Sequence, residues 1–384
     1  MTYLDYNATT PLDKRVLEKM MPYFKDIYSN PSSVYRFAQE SKRAVEEARS
    51  LLAQLLGAQP GEIVFTSGGT ESDNTAIKGV VFACRNNRRH IITSSIEHHA
   101  VLRSCQAMEK LGFEVTYLGV NKQGLIDLEE LESSIKDTTV LVSIMHTNNE
   151  VGMIQPIKKI ADICRKKEVY FHSDAVQAVG KVDIDVEALG VDLLSLSGHK
   201  FYGPKGVGAL YIKKGVKFFS LLHGGGHERG RRSGTENVAG IVGLGEAARL
   251  ATLEMKDDEK RIRVLRDKLE EGIKEKIPEI KINGHPGKRI YNTLNVCIRH
   301  IEGESILINL DFEGVCASSG SACTSGSLEP SHVLLAMGLP ADVAHGSLRM
   351  SLGKYTCDEN INKVLTVLPP IVEKLRKISP FWQN

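Results

Sequence analysis

Short apolar runs alternate with longer helical patterns between about residue 35 and residue 255. Runs of about four to eight residues rich in Val, Ile, Phe and Tyr predict buried strands. The predicted strands are EIVFTS, RHIITSS, FEVTYLGV, TTVLVSIMH, VYFHSD and VDLLSLS. Because helical or turn segments such as PIKKIADICRKKE separate them, we expect an α/β fold with a mostly parallel sheet and helices on its faces.

The segment SKRAVEEARSLLAQLLG has the spacing of an amphipathic helix. Its apolar residues recur every three or four positions, at Val45, Ala48, Leu51, Leu52 and Leu55. Such a stripe packs on the sheet while the charged face meets water. Gly57 predicts the end of the helix, because glycine readily adopts the left-handed conformation that terminates helices.

A change of composition from about Met255 predicts a second, smaller α+β domain. The segment MKDDEKRIRVLRDKLEEGIKEK reads as a long, charged amphipathic helix with Ile262, Leu265 and Leu269 turned inward. We expect this helix to lead from one domain into the other. The predicted large, cofactor-binding domain is 15–255, and the predicted small domain combines 1–14 with 256–384 and carries the Cys323 loop.

Composition narrows the range of partners. The chain has 384 residues, 42% hydrophobic and 25% charged, with a net charge of +2. A nearly neutral chain has no overall field that attracts nucleic acid or an anionic membrane, so we expect neither as a partner. The opening MTYLDYNATTPLDKR lacks the apolar run of a secretory signal, and no segment has the apolar length of a membrane span, which predicts a cytoplasmic protein.

Seven scattered cysteines predict neither a disulfide framework nor a zinc site, because their number is odd and no C-x-x-C pair occurs. We therefore predict no metal. Cys323 differs from an ordinary buried cysteine, since it lies in the polar stretch SSGSACTSGSLEP. A thiol in a flexible Ser/Gly-rich loop can be reached by other molecules, which favours a nucleophile over a packing residue.

Lys200 follows a predicted strand in SLSGHKFYGPKGVGALYI. Most lysines are solvated surface charges, but Ser197 and His199 put donors beside this one, and the nearby glycines allow close backbone approach. A lysine held in a cleft can form a Schiff base with a carbonyl cofactor such as pyridoxal phosphate. Asp174, at the end of another strand, could hold the ring nitrogen of that cofactor, and Gln177 its phenolic oxygen.

Further polar residues follow other strands. Thr70, after two glycines at a predicted helix start, suits phosphate, although a simple helix cap explains it almost as well. His98 or His99 could stack on a ring, and Asn149 has a similar position after its strand. Because ligands of open α/β sheets bind at the carboxyl ends of the strands, these side chains together favour one site.

The chain resembles the pyridoxal phosphate-dependent cysteine desulfurases of the class-V aminotransferase group. The resemblance covers nearly the whole chain and rests on these motifs: YLDYNATTPLD, NPSSVYRFA, FTSGGTESDN, SIEHHAVL, HTNNEVG, SDAVQAVGK, SGHKFYGPKGVGALY, HGGGHERGRRSGTEN, SSGSACTSGSLEPSHVLLAMG and AHGSLRMSLGKY. The loop around Cys323 is similar to the long-loop branch that feeds iron–sulfur cluster assembly, including its nitrogenase-associated type.

The resemblance implies the fold of type I pyridoxal phosphate-dependent transferases, with a mostly parallel seven-stranded sheet in the large domain. It also implies pyridoxal 5'-phosphate as cofactor, a homodimer, L-cysteine as substrate, and an iron–sulfur scaffold or another protein as sulfur acceptor. The implied catalytic residues are Lys200, Cys323 and His98, where His98 also stacks on the ring and could help to ionise the thiol. The implied binding residues are Thr70, Ser197, His199 and a neighbouring subunit's Thr235 for phosphate, Asp174 and Gln177 for the ring, and Asn149 and Arg349 for the substrate.

Other functions stay open on the residues alone. An aminotransferase or a selenocysteine lyase could use the same cofactor without Cys323, and a scaffold could keep the fold while only docking partners. The presence of Lys200, Asp174 and Cys323 together favours the desulfurase. Nitrogenase maturation, general cluster assembly and transfer RNA thiolation are all open as destinations of the sulfur.

Overall fold

The structure is a computed structural model that describes residues 1–84, 88–319, 329–380 and 382. Cys323 lies outside the described residues. None of the helices within them is apolar over a length that could cross a membrane.

The strands are numbered in chain order. They are β1 Thr2–Tyr3, β2 Ile63–Thr66, β3 His90–Ser94, β4 Glu114–Leu118, β5 Thr139–Ser143, β6 Tyr170–Asp174, β7 Leu193–Ser197, β8 Gly208–Ile212, β9 Ile280–Ile282, β10 Thr293–Ile298, β11 Val315–Cys316 and β12 Ser347–Ser351.

The α-helices are numbered likewise. They are α1 Lys14–Met20, α2 Pro22–Lys25, α3 Ala38–Leu56, α4 Gly69–Ala83, α5 His99–Glu109, α6 Leu128–Ser134, α7 Ile157–Lys166, α8 Val186–Leu189, α9 Val238–Lys276, α10 Gly303–Phe312, α11 His332–Ala336, α12 Ala341–His345 and α13 Asp358–Ile378. Short 3₁₀ turns occur at Pro60–Glu62, Gly198–Lys200 and His227–Gly230.

The central sheet confirms the predicted α/β fold. Within the described residues it has seven strands in the order β2-β8-β7-β6-β5-β3-β4. Only β8 in this sheet runs antiparallel to its neighbours. The predicted apolar runs form six of these strands, because a sheet covered on both faces buries side chains of both orientations.

Helices cover both faces of the sheet. Successive residues of one strand enter different hydrophobic clusters: Val64 and Leu141 pack on one side, and Phe65 and Val142 on the other. This alternation follows from the two-residue period of a strand. Helix α3 ends as predicted, since Gly57 has a φ of +65°.

The long charged helix is confirmed, but it begins earlier than predicted. Helix α9 starts at Val238, with Asn237 as its cap, and not near Met255. The first turns of α9 consist mostly of small and apolar residues that are buried on nearly all sides. They therefore lack the amphipathic period that marks the charged part of the helix after Met255. Ile262, Leu265 and Leu269 are buried as expected. The domain boundary near 255 stays a prediction, because this one helix continues across it.

A second core forms around a smaller antiparallel sheet of order β12-β10-β9. The start of the chain joins this part, since β1 pairs with β11 and Asp5 bridges to Ser351. The first residues thereby pass from the second core toward the carboxyl-end edge of the central sheet. Asn7 and Ala8 thereby reach a cavity at that edge.

Candidate active site

A cavity of about 310 Å³ brings the predicted residues together. Those that line it are Thr70, His98, Asn149, Asp174, Gln177, Ser197, His199, Lys200 and Arg349. Their convergence agrees with the expectation that polar residues after the strands share one site, and the role of each residue stays a prediction.

The sheet explains why these side chains meet. Asp174 and Ser197 are the last residues of β6 and β7, and His98 follows β3 as the cap of helix α5. Thr70 lies in the first turn of α4, directly after β2. Since these four strands point the same way, their carboxyl ends lie along one edge of the sheet.

The amine of Lys200 is held by the beginning of the chain. Its Nζ donates to the backbone carbonyl oxygens of Asn7 and Ala8, at 2.6 and 2.7 Å. The 3₁₀ turn Gly198–Lys200 brings the side chain there directly from β7. Two oxygens that can only accept therefore hold an amine that can donate.

Two buried carboxyl groups lie on the cavity wall. Asp174 accepts the N–H of Val176 at 2.9 Å. Burial raises the pKa of Asp174, and the Val176 N–H and the charge of Lys200 oppose that rise. Burial and the charge of Asp174 raise the pKa of Asp73 well above its ordinary value. A cationic ring nitrogen in the cavity would offer these carboxyl groups a positive partner.

A buried histidine lies behind the acid pair. Oδ1 of Asp73 has no hydrogen-bond partner among the described residues and lies 3.6 Å from Nε2 of His172. The two ring nitrogens of His172 contact the hydroxyls of Ser143 and Ser195, at 2.8 and 2.9 Å. Burial lowers the pKa of His172 to about 3, so its ring is neutral at physiological pH.

The orientation of His98 is fixed by its helix cap. Its Nδ1 accepts the backbone N–H of Ala100 at 3.1 Å. Burial and then the charge of Lys200 lower the pKa of His98 to about 4, so the ring is neutral. A neutral ring that accepts through Nδ1 carries its proton on Nε2. His98 therefore presents a ring face and an N–H donor.

The start of helix α4 forms an anion-binding end of the cavity. Its first N–H groups lack partners within the helix, and the helix dipole favours negative charge there. Gly68 has a φ of +151°, and a Cβ at Gly69 would lie 2.6 Å from Cγ2 of Val176. Glycine is thus required where α4 meets the cavity wall. His199 lies nearby, with Nδ1 3.1 Å from the Thr9 hydroxyl.

Arg349 supplies a buried guanidinium. Its Nη2 donates to Oδ1 of Asp5 at 2.7 Å, and its Nη1 to the carbonyl oxygen of Asn149 at 3.1 Å. Its Nε is buried and has no partner among the described residues. A planar guanidinium with an unused N–H suits a second, carboxylate-bearing ligand.

Several residues at the cavity were not predicted. Asn7 and Ala8 contribute backbone oxygens, which any residue carries, so no side-chain signal could reveal them. Asp73 could have been inferred, because it stands four residues after Gly69 on the same helix and so on the same face.

One predicted residue, Thr235, lies apart from this cavity, and another, Cys323, lies outside the described residues. Thr235 is exposed and does not line it. The resemblance assigns Thr235 to a neighbouring subunit's phosphate, and that role stays a prediction. Cys323 belongs to the segment 320–328, outside the described residues.

Comparison with known proteins identifies similar chains over nearly the whole length. The family model described as aminotransferase class-V matches residues 2–364. The chain is 57% identical to "Cysteine desulfurase IscS" of Methanosarcina thermophila over 378 residues, which are 98% of this chain and 93% of that protein. A solved NifS-like protein has a TM-score of 0.92 at 41% identity, covering 97% of this chain and 100% of that one. The structure "SspA in complex with cysteine" has a TM-score of 0.82 at 39% identity, covering 93% and 100%.

Proposed function

We propose that this chain, which belongs to the class-V aminotransferase family and is a cysteine desulfurase, converts L-cysteine to L-alanine and passes the sulfur on through Cys323. The observation that carries the proposal is the convergence of Lys200, Asp174 and Arg349 on one cavity. The three groups match an aldehyde, a ring nitrogen and a substrate carboxylate. The similar protein SspA, solved in complex with cysteine, supports L-cysteine as the substrate.

The cavity fits pyridoxal 5'-phosphate by the chemistry of its donors. An amine, a buried carboxyl group with a raised pKa, and a helix start that requires glycine correspond to the aldehyde, the ring nitrogen and the phosphate. When bound, this cofactor supplies an electron sink that weakens bonds at the Cα of an amino acid. The residues that would hold it are Lys200, Asp174, Gln177, His98, Thr70, Ser197 and His199, with Thr235 serving a neighbouring subunit.

Arg349 and Asn149 would bind and orient the substrate. Asp5 and the Asn149 carbonyl accept from Nη2 and Nη1 of Arg349, and Nε has no partner among the described residues. A substrate carboxylate that binds this guanidinium fixes the amino acid by one end. The thiol of the bound amino acid is then held in one orientation.

Lys200 is the base that we assign to the Cα proton. Its amine can bind a proton at Nζ, and the carbonyl oxygens of Asn7 and Ala8 offer that protonated form two acceptors. The proton taken at Nζ is thereby kept inside the cavity, where it can be returned to the product. His98 would cover the site and keep water out, and its predicted role as base for the thiol stays a prediction.

Sulfur transfer requires the thiolate of Cys323. The thiolate attacks the substrate sulfur, an S–S bond forms and the substrate's C–S bond breaks. The electron pair of the C–S bond stays with the carbon part, which takes a proton and leaves as alanine. Cys323 keeps the sulfur as a persulfide until an iron–sulfur scaffold or another acceptor protein takes it.

The first experiment measures alanine and sulfide from L-cysteine with the cofactor-loaded protein and a thiol reductant. We expect the wild type to form both, and Cys323→Ala and Lys200→Ala to lose both. Cys357→Ala is the matched control, because Cys357 is an exposed cysteine away from the cavity. Alanine that persists in Cys323→Ala would favour a lyase, and an amino-group transfer to a keto acid would favour an aminotransferase.

We also propose that the protein works as a homodimer. The exposed position of Thr235 supports this, because the residue lies outside its own chain's cavity and is free to meet another copy. Light scattering of the loaded protein tests the proposal directly. A monomer with full desulfurase activity would overturn it.

A further inference from the structure

A buried lysine lies beside the cavity without a role in the function proposed above. Lys181 is only 6% exposed, although lysines are rarely buried without a reason. Its Nζ donates to Oε1 of Gln177 at 2.9 Å. The contact joins residues four positions apart in the turn that follows β6.

A chain of hydrogen bonds continues from this contact. Nε2 of Gln177 donates to the carbonyl oxygen of Asn7 at 2.8 Å. The same oxygen accepts Nζ of Lys200 at 2.6 Å. Lys181 and Lys200 therefore lie at the two ends of a continuous network that passes through the Gln177 amide.

The network determines which way the Gln177 amide faces. A protonated lysine amine can only donate and a carbonyl oxygen can only accept, so only one orientation satisfies both partners. In the flipped orientation the NH₂ group would face Lys181 and the amide oxygen would face the oxygen of Asn7. Two buried contacts would then be lost at once, which is costly away from water.

We propose that Lys181 is a positioning residue that keeps the N–H side of Gln177 toward the cofactor's phenolic oxygen. The proposal rests on the proposed function, which makes Gln177 a cofactor ligand. An N–H donor stabilises an oxygen that carries negative charge, whereas an amide oxygen in its place would repel it. Without Lys181 nothing opposes the flipped amide on that side.

Lys181 selects the amide orientation most strictly when its amine is protonated. Burial, together with the charges of Lys200 and Arg349, lowers the pKa of Lys181 to about 7. The protonated amine can only donate to Gln177, whereas the neutral amine also has a lone pair that could accept from a flipped amide. Below about pH 7 Lys181 and the Asn7 oxygen therefore select the same orientation together, and above it the Asn7 oxygen alone opposes the flip.

The test compares Lys181→Met, which keeps the length of the side chain, with Lys181→Arg, which keeps its donors. The probe is pyridoxal 5'-phosphate added to cofactor-free protein, and the readouts are its apparent affinity and the pH at which its visible band changes. We expect Lys181→Met to weaken the affinity roughly three- to tenfold and to move the titration to higher pH, because loss of the N–H donor favours the protonated form, and we expect Lys181→Arg to resemble the wild type in both. Lys256→Met, at an exposed lysine, is the control.

A double variant shows whether Lys181 acts through Gln177. In a Gln177→Ala background, Lys181→Met should add no further loss, because the amide that it orients is gone. Gln177→Glu is the alternative variant if Lys181→Met does not fold. The carboxylate of Gln177→Glu still accepts from Lys181, but it presents an oxygen to the cavity where the amide presents an N–H. It should therefore lose cofactor affinity as Lys181→Met does. Equal losses from Lys181→Met in both backgrounds, or a band unchanged in Lys181→Met and Gln177→Glu, would overturn the assignment. A wild type that develops no visible band would instead overturn the proposed function itself.

Discussion

Arg349 donates from Nη2 to Oδ1 of Asp5 at 2.7 Å, across 344 positions of sequence. The pair joins strand β12 of the small sheet to the start of the chain and lies against the cavity. Because the proposed substrate also carries a carboxylate, the guanidinium has to serve two anions. Asp5 compensates the charge of the Arg349 guanidinium, and the buried Nε of Arg349 has no partner among the described residues.

The planar guanidinium of Arg349 predicts that a lysine at this position weakens substrate binding. Arg349→Lys keeps the charge but loses the planar pair of donors. We expect the KM for L-cysteine to rise about tenfold to a hundredfold, as for the loss of one charge-assisted hydrogen bond. Steady-state kinetics of alanine release measure it. Lys354→Arg, at an ion-paired lysine away from the cavity, is the control, and an unchanged KM in Arg349→Lys would contradict the assigned role.

The burial of Glu97 predicts that the stability of the cofactor-free protein depends on pH. Burial raises the pKa of Glu97 to about 8 from its ordinary 4.5, although the Ser94 hydroxyl and the Met145 N–H donate to it. The folded state thus keeps a proton that the unfolded chain releases. The stability that this provides is fully present below about pH 4.5 and is lost as the pH rises toward 8.

The corresponding variant is Glu97→Gln, which cannot titrate. Relative to the wild type, its free energy of unfolding should rise with pH across that window, by at most about 1.4 kcal/mol per pH unit. Urea unfolding at several pH values measures the difference. Glu109→Gln, at an exposed glutamate of α5, should run parallel to the wild type. A difference between Glu97→Gln and wild type that stays constant with pH would refute the argument.

The sequence was informative wherever a polar residue directly follows an apolar run. Asp174 and Ser197 are such residues, and the parallel strands determine that their side chains meet at one edge. The same reasoning could not reveal Asn7, whose contribution is a backbone oxygen brought in from the start of the chain. It also misjudged the start of α9, because small residues buried on every side show no amphipathic period.

A buried ion pair anchors the loop that leads to Thr235. Glu228 accepts from both Nη atoms of Arg49, at 2.7 and 2.8 Å, and from the Phe65 N–H at 2.8 Å. Its φ of +49° is unusual for a residue with a side chain, so these contacts must hold it there. We expect Glu228→Gln to lower the free energy of unfolding by about 3–5 kcal/mol, since it leaves the buried Arg49 without its buried carboxylate partner.

Chemical denaturation measures that loss. Glu46→Gln is its matched control, because Glu46 contacts the same arginine from an exposed position and should cost at most about 1 kcal/mol. Similar losses in the two variants would mean that the buried pair has no special part in stability.

The tight packing around Gly69 predicts that a side chain at this position disturbs the proposed phosphate site at the start of helix α4. A Cβ there would lie 2.6 Å from Cγ2 of Val176, a distance that forces the helix start or the cavity wall to move. Gly69→Ala should therefore weaken the affinity for pyridoxal 5'-phosphate about tenfold or more, because the N–H groups proposed to face the phosphate would shift with the helix. Fluorescence titration of cofactor-free protein measures the affinity.

The steric cause can be separated from a loss of backbone freedom. Val176→Ala removes the atom that the new Cβ meets, so the double variant should regain most of the affinity that Gly69→Ala loses, compared with Val176→Ala alone. Gly61→Ala, where nothing lies within 4 Å of the added Cβ, should bind like the wild type. If the double variant binds as weakly as Gly69→Ala, the contact with Val176 is not the cause; if Gly69→Ala itself binds like the wild type, the phosphate does not depend on the position of this helix start.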